Sequence, residues 1–281
     1  MVIRSSNGGV LETTVELQAR IWQNIQAEES LKSRVQTLDS LSRRRRQGGQ
    51  RGLEFQGLQD HDFQKGVAGT SWRARTSLGG LLAQRMSDTT RHFFQSYAIY
   101  RRAEVHIAQP TYYDTETKWQ QAKFVFELDS EGARYGFYIE KNEGPMDDTW
   151  HWPNFLGALE SEPKLRQEVE FAMRRLGLRW EVYVWDDGGL IAQVRALPTG
   201  LTWEWEDRAE VEEIQWPAFI QRLRDIETEK WCDLYLCTSI VKDLAIASGI
   251  QLVDTVTEVY RALLPLYEAS TRRISSGRGS G

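Results

Sequence analysis

Cysteine, histidine and long apolar runs are all scarce in this sequence. The 281 residues include two cysteines, Cys232 and Cys237, and four scattered histidines. The two cysteines are five residues apart in a segment whose pattern predicts a helix. On a helix their thiols would face different directions. No apolar run approaches the roughly twenty residues of a membrane-spanning helix, and the N-terminus lacks a secretory apolar segment. We therefore expect a cytoplasmic protein with reduced structural cysteines and no membrane contact.

Catalytic signatures are missing as well. The sequence contains no glycine-rich phosphate loop, no dinucleotide-binding fingerprint and no Gly-x-Ser-x-Gly nucleophile turn. Asp60-His61-Asp62 has the residue types of metal ligands, but no second His or Cys pair supports a site there, and a solvated loop is the simpler interpretation. The sequence therefore predicts no catalytic residue, no metal site and no cofactor.

A metal-dependent nuclease is one alternative to a non-enzymatic protein. Such an enzyme needs carboxylates that converge near a lysine, because the metal must hold a phosphate oxygen and a water together. The nearest arrangement uses Glu127, Asp129 and Glu140 with Lys123 or Lys141. Glu140 and Lys141 are adjacent, however, and adjacent residues of a strand point to opposite faces.

Charge is unevenly divided along the chain, whose net charge is −5. Residues 1–117 hold 16 Lys and Arg against 12 Asp and Glu, a balance of +4. Residues 118–281 hold 19 against 28, a balance of −9. This asymmetry predicts a basic N-terminal region with a polyanionic partner and a more acidic body.

Arginines are the most prominent feature of the basic region. The run Arg43–Arg46, followed by Gly and Gln up to Arg51, predicts a flexible basic linker over residues 43–70. Guanidinium groups suit phosphates because they donate paired, charged hydrogen bonds. A solvated linker without a ligand is the alternative. Further along, arginines interleave with aromatic residues, as in proteins that clamp nucleic acid or around a helix that packs on a sheet. The predicted nucleic-acid contacts are Arg43, Arg44, Arg45, Arg46, Arg51, Trp72, Arg73, Arg75, Arg91, Arg101 and Arg102.

Residues 118–159 predict a β-hairpin followed by a helix. Aromatic and β-branched residues alternate with polar ones over 124–128 and 135–140, which is typical of half-buried strands. Gly132 suits the turn between them. Trp152-Pro153 then opens a helix, since proline is tolerated in a first helical turn.

Part of this pattern returns 64 residues later without a gap. Gly136 matches Gly200, and Trp152-Pro153 matches Trp216-Pro217. We interpret the match as a duplicated strand–loop–helix unit covering about 118–176 and 178–244. Coincidence with a common helix-start pattern is the alternative.

The remaining segments read mainly as helices. Residues 1–42 predict an amphipathic helical arm, and helices are also expected over 77–102, 231–248 and 252–267. The Gly/Ser-rich tail, residues 275–281, predicts disorder.

Together these patterns predict an α+β domain over residues 71–274. We expect a mixed, mostly antiparallel sheet with two related halves, an N-terminal helical arm and C-terminal helices. The functional hypothesis is a non-enzymatic, nucleic-acid-associated accessory protein in a larger bacterial assembly, with DNA and RNA not distinguished. A protein-interaction subunit that uses the first helix and the tryptophan-rich faces is a second hypothesis, since eleven tryptophans exceed the needs of a core of this size.

Overall fold

The computed structural model describes residues 55–64, 70–99, 103–110, 120–146, 150–185 and 189–272, with the backbone alone for 70–75. All of them belong to one compact unit, Leu53–Gly281. The predicted arm at 1–42, the arginines at 43–46 and 51, and the tail at 275–281 lie outside the described residues.

The described residues form one nine-stranded sheet and seven α-helices, which confirms the α+β class. The strands are β1 Gln95–Ile99, β2 Glu104–Ala108, β3 Lys123–Leu128, β4 Gly132–Lys141, β5 Arg179–Val184, β6 Gly189–Ala196, β7 Leu201–Trp205, β8 Val211–Ile214 and β9 Cys232–Val241. The helices are α1 Thr70–Thr89, α2 His151–Ser161, α3 Pro163–Leu176, α4 Trp216–Arg224, α5 Lys242–Ala247, α6 Leu252–Ala262 and α7 Leu264–Thr271. Within these ranges, no helix is long and apolar enough to span a bilayer.

The last strand joins two four-stranded meanders. The strand order is β1-β2-β3-β4-β9-β5-β6-β7-β8, and all the pairs are antiparallel. All ten residues of β9 pair with β4 on one side, and Cys232 to Cys237 also pair with β5 on the other. The middle of the sheet therefore depends on contacts that are distant in sequence.

Strand β9 corrects the helix predicted over residues 231–248. Only Lys242–Ala247 of that stretch forms an α-helix, α5. In β9, Leu234 and Leu236 are buried on one face, while Tyr235 and Cys237 are buried on the other. A strand buried on both faces has an almost continuous apolar run, which periodicity alone cannot distinguish from a buried helix. Cys232 is also buried and, like Cys237, a free thiol.

The helix predicted over 77–102 also ends earlier than expected. Helix α1 stops at Thr89, and the chain turns into β1. The Thr90 hydroxyl donates back to the Met86 carbonyl at 2.7 Å, and the Phe94 amide donates to the Ser87 hydroxyl at 2.8 Å. These side-chain hydrogen bonds satisfy backbone groups that a continuing helix would pair.

Residues 55–64 correct the end of the predicted linker. Phe55, Leu58 and Phe63 are buried in the main core, and a short 3-10 helix spans Asp60–Phe63. The three apolar side chains hold this stretch against the body, because their burial offsets the entropy lost on ordering it.

The two matched helices of the sequence repeat lie against the same core residue. Trp180 of β5 contacts Phe155 of α2 and Phe219 of α4, with ring centroids 5.8 and 5.5 Å apart. Phe155 and Phe219 are equivalent in the 64-residue repeat. So are Glu160 and Arg224, which form an ion pair with each other. The duplication stays a prediction, since most of the positions that match β8 in the first copy, 147–150, lie outside the described residues.

Candidate functional site

One face of the sheet packs against the helices, and the opposite face carries most of the buried charge. We call this opposite face the polar face. It follows from strand alternation, because Phe124, Phe126 and Phe137 point into the main core and their neighbours point away from it. The ionisable residues of the polar face include Glu104, His106, Lys123, Glu127, Arg134, Tyr138, Glu140, Arg179, Glu181, Tyr183, Asp233, Tyr235 and Cys237.

A buried ion pair lies at one end of the polar face. Lys123 Nζ is 2.5 Å from Glu140 Oε1, and the two side chains are 0% and 1% exposed. Lys123 also lies over the Tyr138 ring, 4.7 Å from its centroid. Tyr138 in turn stacks on Tyr235 with centroids 4.3 Å apart. A buried ion pair of this kind holds neighbouring strands together, since removal of either partner would leave the other charge buried without a counter-ion.

Asp233, beside Glu140 on the next strand, accepts three hydrogen bonds. The Tyr138 hydroxyl and the Trp231 indole N–H both donate to Oδ1 at 2.9 Å. The Trp185 indole N–H donates to Oδ2 at 2.8 Å. Trp185 is nonetheless 53% exposed, so a buried carboxylate holds a surface aromatic in a defined position.

Arg134 organises the opposite end of the polar face. Its guanidinium donates to Glu127 through Nε at 2.9 Å, and to Glu181 and the Tyr183 hydroxyl through Nη1 at 2.6 and 2.9 Å. It also lies over the Tyr235 ring at 4.1 Å. Although burial opposes it, Arg134 together with Arg179 lowers the pKa of Glu181 below its usual value. The cluster links β3, β4, β9 and β5 through one side chain.

The buried thiols and phenols of this region are held in their neutral forms. Burial raises the pKa of Cys232 and Cys237, and that of Tyr138 and Tyr235. A nucleophilic cysteine needs a lowered pKa instead. These two thiols therefore act as packing groups.

His151, the first residue of α2, is buried and held neutral. Its Nδ1 accepts the Ala122 amide at 3.0 Å, and burial with the nearby Lys123 charge lowers its pKa to about 4. An unfolded histidine titrates near pH 6.5. The unfolded chain therefore takes up this proton first as the pH falls, and folding stability decreases between about pH 6.5 and 4.

His151→Asn is expected to remove this pH dependence, because the asparagine carbonyl can accept the Ala122 amide without titrating. Relative to the variant, the wild type should lose about 3 kcal/mol between pH 6.5 and 4. Urea unfolding at several pH values measures the difference. Parallel stability curves for the two proteins would contradict a neutral, buried His151.

The carboxylates considered for a nuclease do not converge. Glu127 pairs with Arg134, Glu140 pairs with Lys123, and Asp129 Oδ1 accepts two turn amides at 2.8 Å. Lys141 Nζ donates to the carbonyls of Glu227 and Lys230, each at 2.8 Å. Across the described ranges, no three His, Cys, Asp or Glu residues are grouped so that they could hold a metal ion.

Only some of the predicted nucleic-acid contacts lie within the described residues. Arg91 is exposed just after α1. Trp72, Arg73 and Arg75 lie in the first turns of α1, where the backbone alone is described. Arg43 to Arg46, Arg51, Arg101 and Arg102 lie outside the described residues.

Helix α1 lies beside β1, the edge strand of the sheet. Ser87 contacts Phe94 and Gly79 approaches Ser96, so α1 runs antiparallel to β1. Ile99, the last residue of β1, pairs with Glu104 of β2. Arg101 and Arg102 fall between these two paired residues in the sequence.

Basic side chains of the described body are almost all matched by oxygen acceptors. Lys141 and Arg166 donate to backbone carbonyls. Among the described side chains, Arg91 and Arg261 form no ion pair or hydrogen bond. The cations within 4 Å of a carboxylate are Arg85, Lys123, Arg134, Lys164, Arg174, Arg175, Arg179, Arg195, Arg208, Arg222, Arg224, Lys230, Lys242 and Arg272.

Sequence reasoning missed Asp233 and Trp185 as members of a network. The signal was the alternation Asp233-x-Tyr235-x-Cys237, which the helical interpretation of this segment concealed. Comparisons with family models, curated proteins and solved structures find no significant match for this chain.

Proposed function

We propose that this protein is a non-enzymatic, nucleic-acid-associated accessory protein that holds phosphate backbones through its N-terminal arginines. The observation that supports the proposal is the pairing of the body's cations with its own carboxylates. A polyanion would have to displace those carboxylates to bind there. Residues 43–53, by contrast, contain five arginines and no acidic residue.

The charge of the body strengthens the same proposal. Residues 118–281 carry a balance of −9, so their field repels a polyanion at distances up to the Debye length. Contacts should therefore concentrate on the basic N-terminal region. The sequences of α1 and of the β1–β2 connection contain Arg73, Arg75, Arg101 and Arg102, which are further predicted phosphate contacts.

Replacing Arg43 to Arg46 together with alanine is expected to weaken binding to single- and double-stranded oligonucleotides by about tenfold or more at 0.1 M salt. If all four arginines contact phosphates of a duplex, the slope of log affinity against log salt should fall by about 3 to 4. Fluorescence anisotropy titrations at several salt concentrations measure both quantities.

A matched control removes four exposed cations of the body that already face carboxylates: Lys164, Arg175, Arg195 and Arg208. This variant changes the net charge equally but should bind like the wild type. The proposal fails if both quadruple variants lose the same affinity, since that result would indicate a net-charge effect. It also fails if wild-type affinity does not depend on salt.

A role as a protein-interaction subunit in the cytoplasm is a second candidate. It is favoured by Trp185, an exposed aromatic side chain held by a buried carboxylate, because such rigid aromatics are common anchors of interfaces. The same titration separates the two candidates. A protein-interaction role alone predicts no salt-dependent oligonucleotide binding.

A further inference from the structure

The two edges of the sheet differ in how they are protected against pairing with another strand. Strand β8, at one edge, carries Glu212 and Glu213 at its centre. An antiparallel copy of β8 centred on either residue would set that carboxylate opposite its own equivalent, and like charges directly opposite are destabilising. Charged edge residues of this kind are a common device against edge-to-edge association.

Strand β1, at the other edge, lacks these devices. It consists of Gln95–Ile99, with the sequence QSYAI, and contains no charged residue and no proline. All five residues pair with β2 in one unbroken register, and within the described residues β2 is the one strand beside it. Alternate residues of an antiparallel strand direct their N–H and C=O groups toward one neighbour, so the remaining backbone groups of β1 point away from β2.

We propose that β1 is a self-association surface, where a second copy of this chain adds its own β1 in antiparallel orientation. The strand is self-complementary in this arrangement, with Tyr97 on the two-fold axis. Each Gln95 then lies opposite Ile99 of the second copy. Each Ser96 lies opposite Ala98 of the second copy, so no like charges meet. The backbone hydrogen bonds of the sheet continue from one copy into the other.

Exposed Phe93 adds an apolar contact to this pairing. It lies two residues before β1 and is 63% exposed, whereas its neighbour Phe94 is buried in the main core. In the antiparallel register Phe93 falls just beyond Ile99 of the second copy, within the diagonal reach of an aromatic side chain. The two-fold axis repeats this contact, so both ends of the paired strands cover apolar surface.

Helix α1 leaves room for the second copy. One flank of α1 faces α6, where Arg85 lies 3.7 Å from Asp254. Since α6 also packs on β4, this flank is directed toward the middle of the sheet. Gly80 is about 140° around the helix from Arg85; it is exposed, and a Cβ there would meet nothing within 4 Å. The flank toward the sheet edge therefore has a small residue where the equivalent α1 comes near across the two-fold axis.

Sedimentation velocity of the full chain without nucleic acid measures the association, so the result does not depend on the function proposed above. The wild type is followed from about 1 to 100 µM, where weak and moderate dimers dissociate, and a monomer–dimer equilibrium is expected. A wild type that stays monomeric over this range overturns the proposal.

Phe93→Glu is expected to weaken dimerisation by at least about tenfold, because it places a carboxylate in an apolar contact. The matched control is Phe171→Glu, since Phe171 is 61% exposed on α3 and the change in charge is the same. This control should dimerise like the wild type. Equal loss in the two variants, or no loss in Phe93→Glu, overturns the proposal.

Tyr97→Lys tests the register of the pairing. It sets two ammonium groups opposite each other at the two-fold axis and should give a monomer. Tyr97→Thr is its control, because threonine is neutral and suits a strand, and it should still dimerise. Circular dichroism checks that both variants are folded; the Phe93 comparison leaves β1 itself unchanged and decides the matter if they are not. A folded Tyr97→Lys protein that dimerises like the wild type overturns the proposal.

Discussion

Replacing Gly136 with alanine is expected to lower the free energy of unfolding by about 3 kcal/mol or more, at the upper end of the usual cost of overpacking. Gly136 lies in the middle of β4, opposite Cys237 of β9. A Cβ atom at this position would lie 2.7 Å from the Cys237 Cα and closer still to the Leu236 carbonyl oxygen. Both neighbours are backbone atoms, so no side-chain rotation can relieve the overlap.

The expected loss is large because β4 and β9 join the two meanders. Moving these strands apart would disturb the stacked Tyr138 and Tyr235 on one face and buried Phe137 and Leu236 on the other. Urea unfolding followed by circular dichroism measures the change in midpoint and slope.

Gly157→Ala is the matched control. Gly157 lies inside α2, and a Cβ there meets nothing within 4 Å. The same substitution should therefore raise stability by about 0.5–1 kcal/mol, because alanine favours helix over glycine. Equal effects at the two glycines would contradict the close approach of β4 to β9.

Replacing Arg134 with methionine is expected to cost about 3–5 kcal/mol, which is the usual effect of removing one partner from a buried ion pair. Methionine keeps much of the apolar volume but leaves Glu127 without its partner and Glu181 with Arg179 alone. Burial already raises the pKa of Glu127 despite the opposing effect of Arg134, so that pKa should rise further in the variant. Stability should consequently fall more steeply as the pH rises through the raised pKa of Glu127.

A second substitution distinguishes lost charge pairing from lost packing. Arg134→Met combined with Glu127→Gln should recover part of the stability, because the stranded carboxylate is gone. Arg224→Met provides the surface comparison, since its pair with Glu160 is largely in water and should contribute little. No recovery in the double variant would indicate that Arg134 acts mainly through its contact with Tyr235.

Several elements were predictable because their signals are local. The β3–β4 hairpin follows from alternation over a few residues and a turn glycine, and α2 and α4 follow from their Trp-Pro starts. The antiparallel character of the sheet also follows, because successive strands are joined by short connections. These features need no knowledge of what packs on them.

Other elements were predicted wrongly because their environment is determined by residues that are distant in sequence. The sequence of β9 is apolar on both sides, since β4 and β5 cover its edges and both its faces are buried. Phe55, Leu58 and Phe63 seemed to belong to a linker because the apolar core that receives them comes from later parts of the chain. Hydrophobic periodicity within one short stretch of sequence reveals neither a strand buried on both faces nor a segment whose core partners come later in the chain.

The sequence by itself determined the α+β class, the main hairpin, the proline-started helices and the concentration of positive charge near residues 43–51. Tertiary structure alone decided which ionisable side chains meet, because Lys123, Glu140, Asp233 and Trp185 come from four strands or their ends, up to 110 residues apart. Their pairing depends on strand order and register. Those in turn depend on where β9 inserts, a choice made by the packing of the whole sheet.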